Sequence, residues 1–394
     1  MSVGPVPTIS EYFKDGYILV VDGNTNVRKN IRSMLKYMGI SNVREAADGN
    51  IALRVMGGQD AKCLFVLTEW DLPKMSGIEM GREIRANGQV QDTPIFIITG
   101  DGNRENIVQA GEAGINFFMI KPFIAKALEE KILHTIRTRA NPPEHVKLIK
   151  AAEELIRRGE TSRALAVFEE VCRTKESGRA LVSLGETHEL LGNNPSAHSS
   201  YSRAMDLQPL FLKAYMKAAS LYLRTDDQKA GIYCLERAAE LSPNNTERNL
   251  LLGKLYLQQG EPDKANGVYA RVCKLEPARS GEVAEEMLKA GATNLAEQYF
   301  RISLGDDSTS IHIYNQLGIA LRRQGKWKDA ITEYEKALKI DPNDEALYFN
   351  MAKACLEGNN KEAARKYFSK VLQIDPDNED AKRELGAIGR DTTW

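Results

Sequence analysis

The 394-residue sequence predicts two consecutive folds, an α/β doubly wound five-stranded parallel sheet and then an all-α array of helical hairpins. Three observations carry this reading. Up to about Arg139, five short apolar runs alternate with amphipathic stretches, the pattern of buried parallel strands covered on both faces by helices. The strand pattern stops at Asn141-Pro142-Pro143. Beyond it Pro209, Pro243 and Pro277 stand 34 residues apart, as do Pro342 and Pro376, and a fixed period of that size marks repeated helix–turn–helix units.

The strands are expected at 17–21 (YILVV), 42–46 (NVREA), 63–68 (CLFVLT), 94–99 (PIFIIT) and 116–120 (NFFMI). Helices are expected between and after them at 25–38, 49–57, 77–86, 103–113 and 124–139. Right-handed crossovers between such strands put a ligand site at their carboxyl ends, where the strand order switches. The first domain is read as 16–140 and the junction as 141–144, stiffened by its prolines. Seven repeats are expected over 145–378, with 379–389 as a closing helix.

The clearest repeat, 311–342, holds Tyr314, Leu317, Gly318, Leu321, Ala330, Tyr334, Ala337 and Pro342. The same frame finds Leu184, Gly185, Ala197, Tyr201, Ala204 and Pro209, and again Leu252, Gly253, Ala265, Tyr269 and Pro277. Small residues let paired helices approach, large ones fill the gap, and proline ends the second helix. One unit, near Pro277, is three residues short in its first helix. These residues resemble the tetratricopeptide (TPR) repeat, which implies a solenoid whose concave surface is lined by first helices. Position 5 of the repeat then supplies Val182, Met216, Leu250 and Phe349, and position 12 supplies Leu223, Leu257 and Leu356 as well as Arg322. Arg179, Lys213, Lys254 and Lys353 are interspersed with Glu186, Glu189 and Glu247. An apolar stripe rimmed by both signs suits an amphipathic helix or extended peptide of a protein partner. Packing against a second copy of the chain, as a homodimer, is the competing use of the same residues.

The first domain contains VVDGN (20–24), LTEWDLPKMSG (67–77), IITGD (97–101) and FFMIKPF (117–123). These segments are similar to the receiver domain of bacterial two-component response regulators, a flavodoxin-like fold. In that family, acids after the first strand bind Mg²⁺ and an aspartate after the third accepts a phosphoryl group. A hydroxyl residue after the fourth strand, an aromatic and a lysine before proline after the fifth complete the switch. The resemblance assigns Asp22 to the acidic pocket and Thr99, Phe118 and Lys121 to the switch.

Two positions depart from the pattern: the second pocket acid is Gly23, and the phosphoacceptor position holds Glu69. Phosphoryl transfer needs a carboxylate oxygen in line with the donor while Mg²⁺ neutralises oxygens on both groups. Gly23 removes the acid that in the family contacts the metal. Glu69 advances the nucleophile by about 1.5 Å, one carbon–carbon bond, and such a misplacement costs about a hundredfold in rate. Asp22, Glu69 and Asp71 are left as a weak Mg²⁺ site, and no cofactor is required. Glu69, within reach of Thr99 and Lys121, is read either as a mimic of the phosphorylated state or as a structural ion pair. The expected function is therefore a signalling adaptor with a phosphorylation-deficient pseudo-receiver. The alternative is a working response regulator, phosphorylated on Glu69 or Asp71, with the repeats as its output.

Composition narrows the classes further. Lys and Arg total 53 against 54 Asp and Glu, giving a net charge of −1, without the basic excess of a nucleic-acid-binding protein. Five scattered cysteines without paired spacing suit reduced thiols in the cytoplasm. The N-terminus lacks a leader pattern, and the longest apolar runs are too short for membrane insertion. No nucleophile elbow, P-loop or HExxH motif is present, so an enzyme is not expected.

Overall fold

The computed structural model describes residues 7–58, 61–88, 90–100, 110–111, 113–115 and 117–390. Its sheet is organised around β1 (Gly16–Val21), all six residues of which are buried. β2 (Val43–Ala46), β3 (Lys62–Thr68), β4 (Ile95–Thr99) and β5 (Phe117–Ile120) complete a parallel sheet of order β2-β1-β3-β4-β5. Alternate side chains leave a strand on opposite faces. Ile18 and Val20, with Phe65, Leu67, Phe96 and Ile98, therefore share one core with Ile31 and Leu35 of α2 (Thr25–Tyr37). Tyr17, Leu19 and Val21 face the other core, with Ala52 of α3 (Gly49–Met56) and Met80 and Ile84 of α4 (Gly77–Ala86). The crossover from β1 to β2 runs one way along the sheet and that from β2 to β3 the other, so the switch point falls between the carboxyl ends of β1 and β3.

One feature lies beyond the sequence reading. A short α1 (Ile9–Tyr12), closed by a capping box at Thr8 and Glu11, precedes the expected start of the domain at 16. Its neighbour Phe13 is buried with its ring 5.4 Å from that of Phe65, and Tyr12 meets the same ring edge-on at 5.9 Å. The helix expected at 103–113 lies almost wholly outside the described residues. The last helix of the domain, α5 (Ala125–Ala140), seats Leu128, Ile132 and Ile136 in the first core.

Helical hairpins follow in the expected phase. They are α6 (Glu144–Arg157) with α7 (Thr161–Thr174), α8 (Gly178–Leu190) with α9 (Asn194–Leu207), and α10 (Leu212–Arg224) with α11 (Gln228–Leu241). Next come α12 (Thr246–Gln258) with α13 (Pro262–Leu275), and α14 (Ser280–Lys289) with α15 (Thr293–Asp306). The last pairs are α16 (Ile311–Arg323) with α17 (Trp327–Leu338) and α18 (Glu345–Glu357) with α19 (Lys361–Ile374), before a final α20 (Glu379–Arg390). The shortened unit is visible as α14, 10 residues long where α12 has 13. Within hairpins, glycine lets a tyrosine ring lie against the helix backbone. A Cβ on Gly318 would stand 2.2 Å from Tyr334 Cε1, and one on Gly185 2.4 Å from Tyr201 Cε1. By compactness the chain divides into residues 1–242 and 243–394, after α11 and not at the 141–144 junction. Among the described residues no helix is long and apolar enough to cross a membrane.

Candidate functional site

Asp22, Glu69 and Lys121 directly follow β1, β3 and β5, and the parallel order of those strands brings them together. Lys121 Nζ donates to Asp22 Oδ2 at 3.0 Å and also to Glu69 Oε2. The other two oxygens are engaged by backbone. Asn24 N–H donates to Asp22 Oδ1 at 2.7 Å, and Trp70 N–H to Glu69 Oε1 at 2.8 Å. Each of the four carboxylate oxygens thus has a donor. Burial pushes the Lys121 ammonium down, but its hydrogen bonds and charge interactions with Glu69 and Asp22 outweigh this and hold it above the usual lysine value.

The turn after β1 is fixed by Arg28 on α2, whose Nη1 donates to the Asp22 carbonyl at 2.6 Å while its Nε meets Glu45 Oε2 at 3.2 Å. Sequence reading missed Arg28; its place on the first turn of the helix after Asp22 was the available signal. Gly23 is exposed with φ outside the left-handed region, and a Cβ there would meet Pro73 Cδ at 3.3 Å. The backbone therefore does not demand glycine, and a side chain fits after a shift of a few tenths of an ångström. Gly77 is different: a Cβ would lie 2.2 Å from the Glu69 carbonyl, so only glycine lets the 69–77 loop close.

Asp71 is exposed. Among the described residues no three His, Cys, Asp or Glu side chains are gathered so as to hold a metal, and Asp22, Glu69 and Asp71 form no such group. Thr99 is buried at the end of β4, and its carbonyl accepts from Lys121 N–H at 2.7 Å. Phe118 is half-buried against Ile97 and Ile78, and meets Trp70 edge-on with ring centroids 6.4 Å apart. Trp70 is thus shared: its N–H binds Glu69, its carbonyl accepts from Gly77 N–H at 2.9 Å, and its ring packs on Phe118.

Residues 18–133 match the family description "Response regulator receiver domain". Chemotaxis protein CheY-3 of Vibrio cholerae is 37% identical over 119 residues, 30% of this chain and 90% of that protein. Chemotaxis protein CheY of Pseudomonas aeruginosa is 36% identical over 115 residues, 29% of this chain and 91% of that protein. The chain belongs to the response regulator receiver family. Behind the receiver, residues 212–245, 249–278 and 321–388 match tetratricopeptide repeats. The structure of Naa15/Naa10 bound to HypK-THB aligns with a TM-score of 0.52 at 14% identity, covering 62% of this chain and 39% of that chain, a likeness of helical fold alone. A receiver fused to TPR repeats makes this a signalling protein with a protein-binding part.

In the repeats, one expected groove residue needs correction. Val182 is fully buried inside its hairpin and lines no open surface, because the repeat position fixes the residue's turn of the helix but not how deeply the neighbouring helix covers it. Met216, Leu223, Leu250, Leu257, Phe349 and Leu356 are half-buried. Phe349 leans edge-on against buried Phe368, ring centroids 5.3 Å apart. Charges on successive first helices pair with one another: Arg179 with Glu153 at 3.2 Å, Lys217 with Glu186 at 2.7 Å, and Lys353 with Glu384 at 3.0 Å.

Proposed function

We propose that this protein is a cytoplasmic signalling adaptor whose receiver does not carry out phosphoryl transfer and whose repeats hold a polypeptide partner. The observation that carries the reading is the pair of carboxylates tied down at the strand ends, each oxygen of which already accepts a hydrogen bond. A metal and a phosphodonor both need free carboxylate oxygens. Here Lys121, Asn24 and Trp70 already draw on every oxygen of Asp22 and Glu69, and Gly23 stands where the family has a further acid. Glu69 reaches the ammonium with one oxygen and a loop N–H with the other, a fixed negative charge that supports a constant receiver conformation. The partner surface lies on the half-buried apolar first-helix residues of the repeats, Leu250 and Leu257 among them, which favours recognition by shape and apolar contact.

Acetyl phosphate with Mg²⁺ tests the receiver. Wild type is expected to take up no acid-labile phosphate and to leave Trp70 fluorescence unchanged on adding beryllium fluoride. Gly23→Asp/Glu69→Asp is expected to gain both responses, since the Gly23 site accommodates a side chain. Saturable fluorescence change and acid-labile phosphate in wild type would instead establish a working response regulator.

A further inference from the structure

Helix α16 carries two residues that break the apolar pattern of the first-helix positions. At the fifth repeat position, apolar at Val182, Met216, Leu250 and Phe349, it holds Asn315. Asn315 is half-buried, as is Asn350 on α18, and Asn350 Nδ2 donates to Asn315 Oδ1 at 2.8 Å. That bond leaves Asn315 Nδ2 and Asn350 Oδ1, for which the described residues supply no partner. A half-buried amide with open hydrogen-bonding groups costs free energy until something meets them. A donor and an acceptor on adjoining amides are what one peptide unit of an extended chain requires, because its own N–H and C=O are unpaired. The main chain of a helix is already paired internally. The two asparagines therefore select an extended occupant over a helical one.

The second residue is Arg322, about two turns further along α16. A left-handed residue follows the first helix of every repeat, Gly325 in this one, and the position three before it is charged only here and at Glu189. At Glu189 the charge is fully met: Tyr201 donates its hydroxyl to one oxygen and Arg224 meets the other. At Arg322 the sign is reversed while the tyrosine, Tyr334, stays. A guanidinium accepts no hydrogen bond, and the buried Tyr334 hydroxyl and Arg322 Nε are both without a partner. Arg322 is 17% exposed, and its ion pair with Glu357 Oε1 spans 3.5 Å, beyond the usual length of a charged hydrogen bond. Glu357 is 47% exposed and can turn to water, so an arriving carboxylate exchanges a loose partner for a close one. Phe349 and Leu356, half-buried on α18, supply apolar surface over the same two turns.

We propose that the groove between α16 and α18 holds an extended, acidic segment of the partner polypeptide. Asn315 and Asn350 grip one peptide unit of its main chain, and Arg322 takes an aspartate or glutamate side chain. Asn315 and Arg322 are seven residues apart, about 10.5 Å along the helix at about 1.5 Å per residue. An extended chain covers that distance in about three residues, so the acid stands about three residues from the gripped peptide unit. This occupant rests on the reading of the repeats as the polypeptide-binding part, and adds to it the conformation and charge of what they bind.

The test is selection of a random dodecapeptide phage library on the immobilised full-length protein, followed by fluorescence anisotropy with the enriched peptides in synthetic, end-capped form. The enriched peptides are expected to carry an aspartate or glutamate. Its replacement by asparagine or glutamine should weaken binding to wild type at least tenfold, and change binding to Arg322→Gln by less than twofold. Methylating the peptide's backbone nitrogens one at a time should weaken binding at least tenfold at a single position, about three residues from the acid. That loss should disappear in Asn315→Ala/Asn350→Ala. Equal binding of acidic and neutralised peptides to wild type, or a methyl scan without such a position, would overturn this occupant while leaving a polypeptide-binding role standing. Peptides that bind both variants as they bind wild type would do the same. No enriched peptide at all would overturn both.

Discussion

Two carboxylates share one ammonium at Lys121, and the direction of its shift gives the site a pH signature. A lysine held above its usual value in the folded state stabilises the fold fully below its unfolded value, near 10.5. That contribution is lost as pH rises through the higher folded value. The difference in urea-unfolding stability between wild type and Lys121→Met should therefore be constant from pH 7 to 9 and shrink above about pH 10.5. At neutral pH the variant should lose about 1.5–3 kcal/mol, the range for hydrogen bonds to charged groups. A difference that does not vary with pH would show that Lys121 acts only by packing. The acids and the lysine of this site were legible because motif spacing fixes which residues stand at strand ends. The donors from Asn24 and Trp70 were not, since a backbone N–H is aimed by loop conformation and carries no residue-type signal.

At the scale of elements, the repeats were readable because their packing chemistry recurs. Gly185 with Tyr201, Gly253 with Tyr269 and Gly318 with Tyr334 each stand 16 residues apart, and each pair is one contact. Helix propensity alone predicts that Gly185→Ala stabilises by about 1 kcal/mol. The 2.4 Å approach of Tyr201 to the added methyl reverses the sign, and overpacking of this kind costs about 1–3 kcal/mol. Thermal unfolding of Gly185→Ala decides between them, and a raised Tm would refute the packing account. The α1 segment was illegible for the opposite reason: four helical residues have no periodicity to detect. Phe13, 4% exposed, nevertheless closes the core over Phe65, and Phe13→Ala should cost about 3–5 kcal/mol in urea unfolding. A loss below about 1 kcal/mol would mean that α1 merely rests on the sheet.

The division of the whole molecule after α11 has no counterpart in the sequence, where the repeat pattern runs past residue 242 without a break. In a repeat array each hairpin is stabilised by its immediate neighbours, so a local loss of stability need not spread to the far end. Two tryptophans make this measurable. Trp70 belongs to the receiver, and Trp327 in the second compact unit packs over Gly358, where a Cβ would come within 2.5 Å of its ring. Gly318→Ala, which forces a methyl against Tyr334, can be placed in backgrounds that replace Trp394 and retain only one of these two tryptophans. The Trp327 midpoint is expected to fall by on the order of 1 M urea, from a loss of about 1–3 kcal/mol and a typical slope of about 1–3 kcal/mol per molar. The Trp70 midpoint should stay where it is in wild type. Equal shifts of both midpoints would mean that receiver and repeats unfold as one cooperative body, which would also let occupancy of the repeats be felt at the Glu69–Lys121 pair.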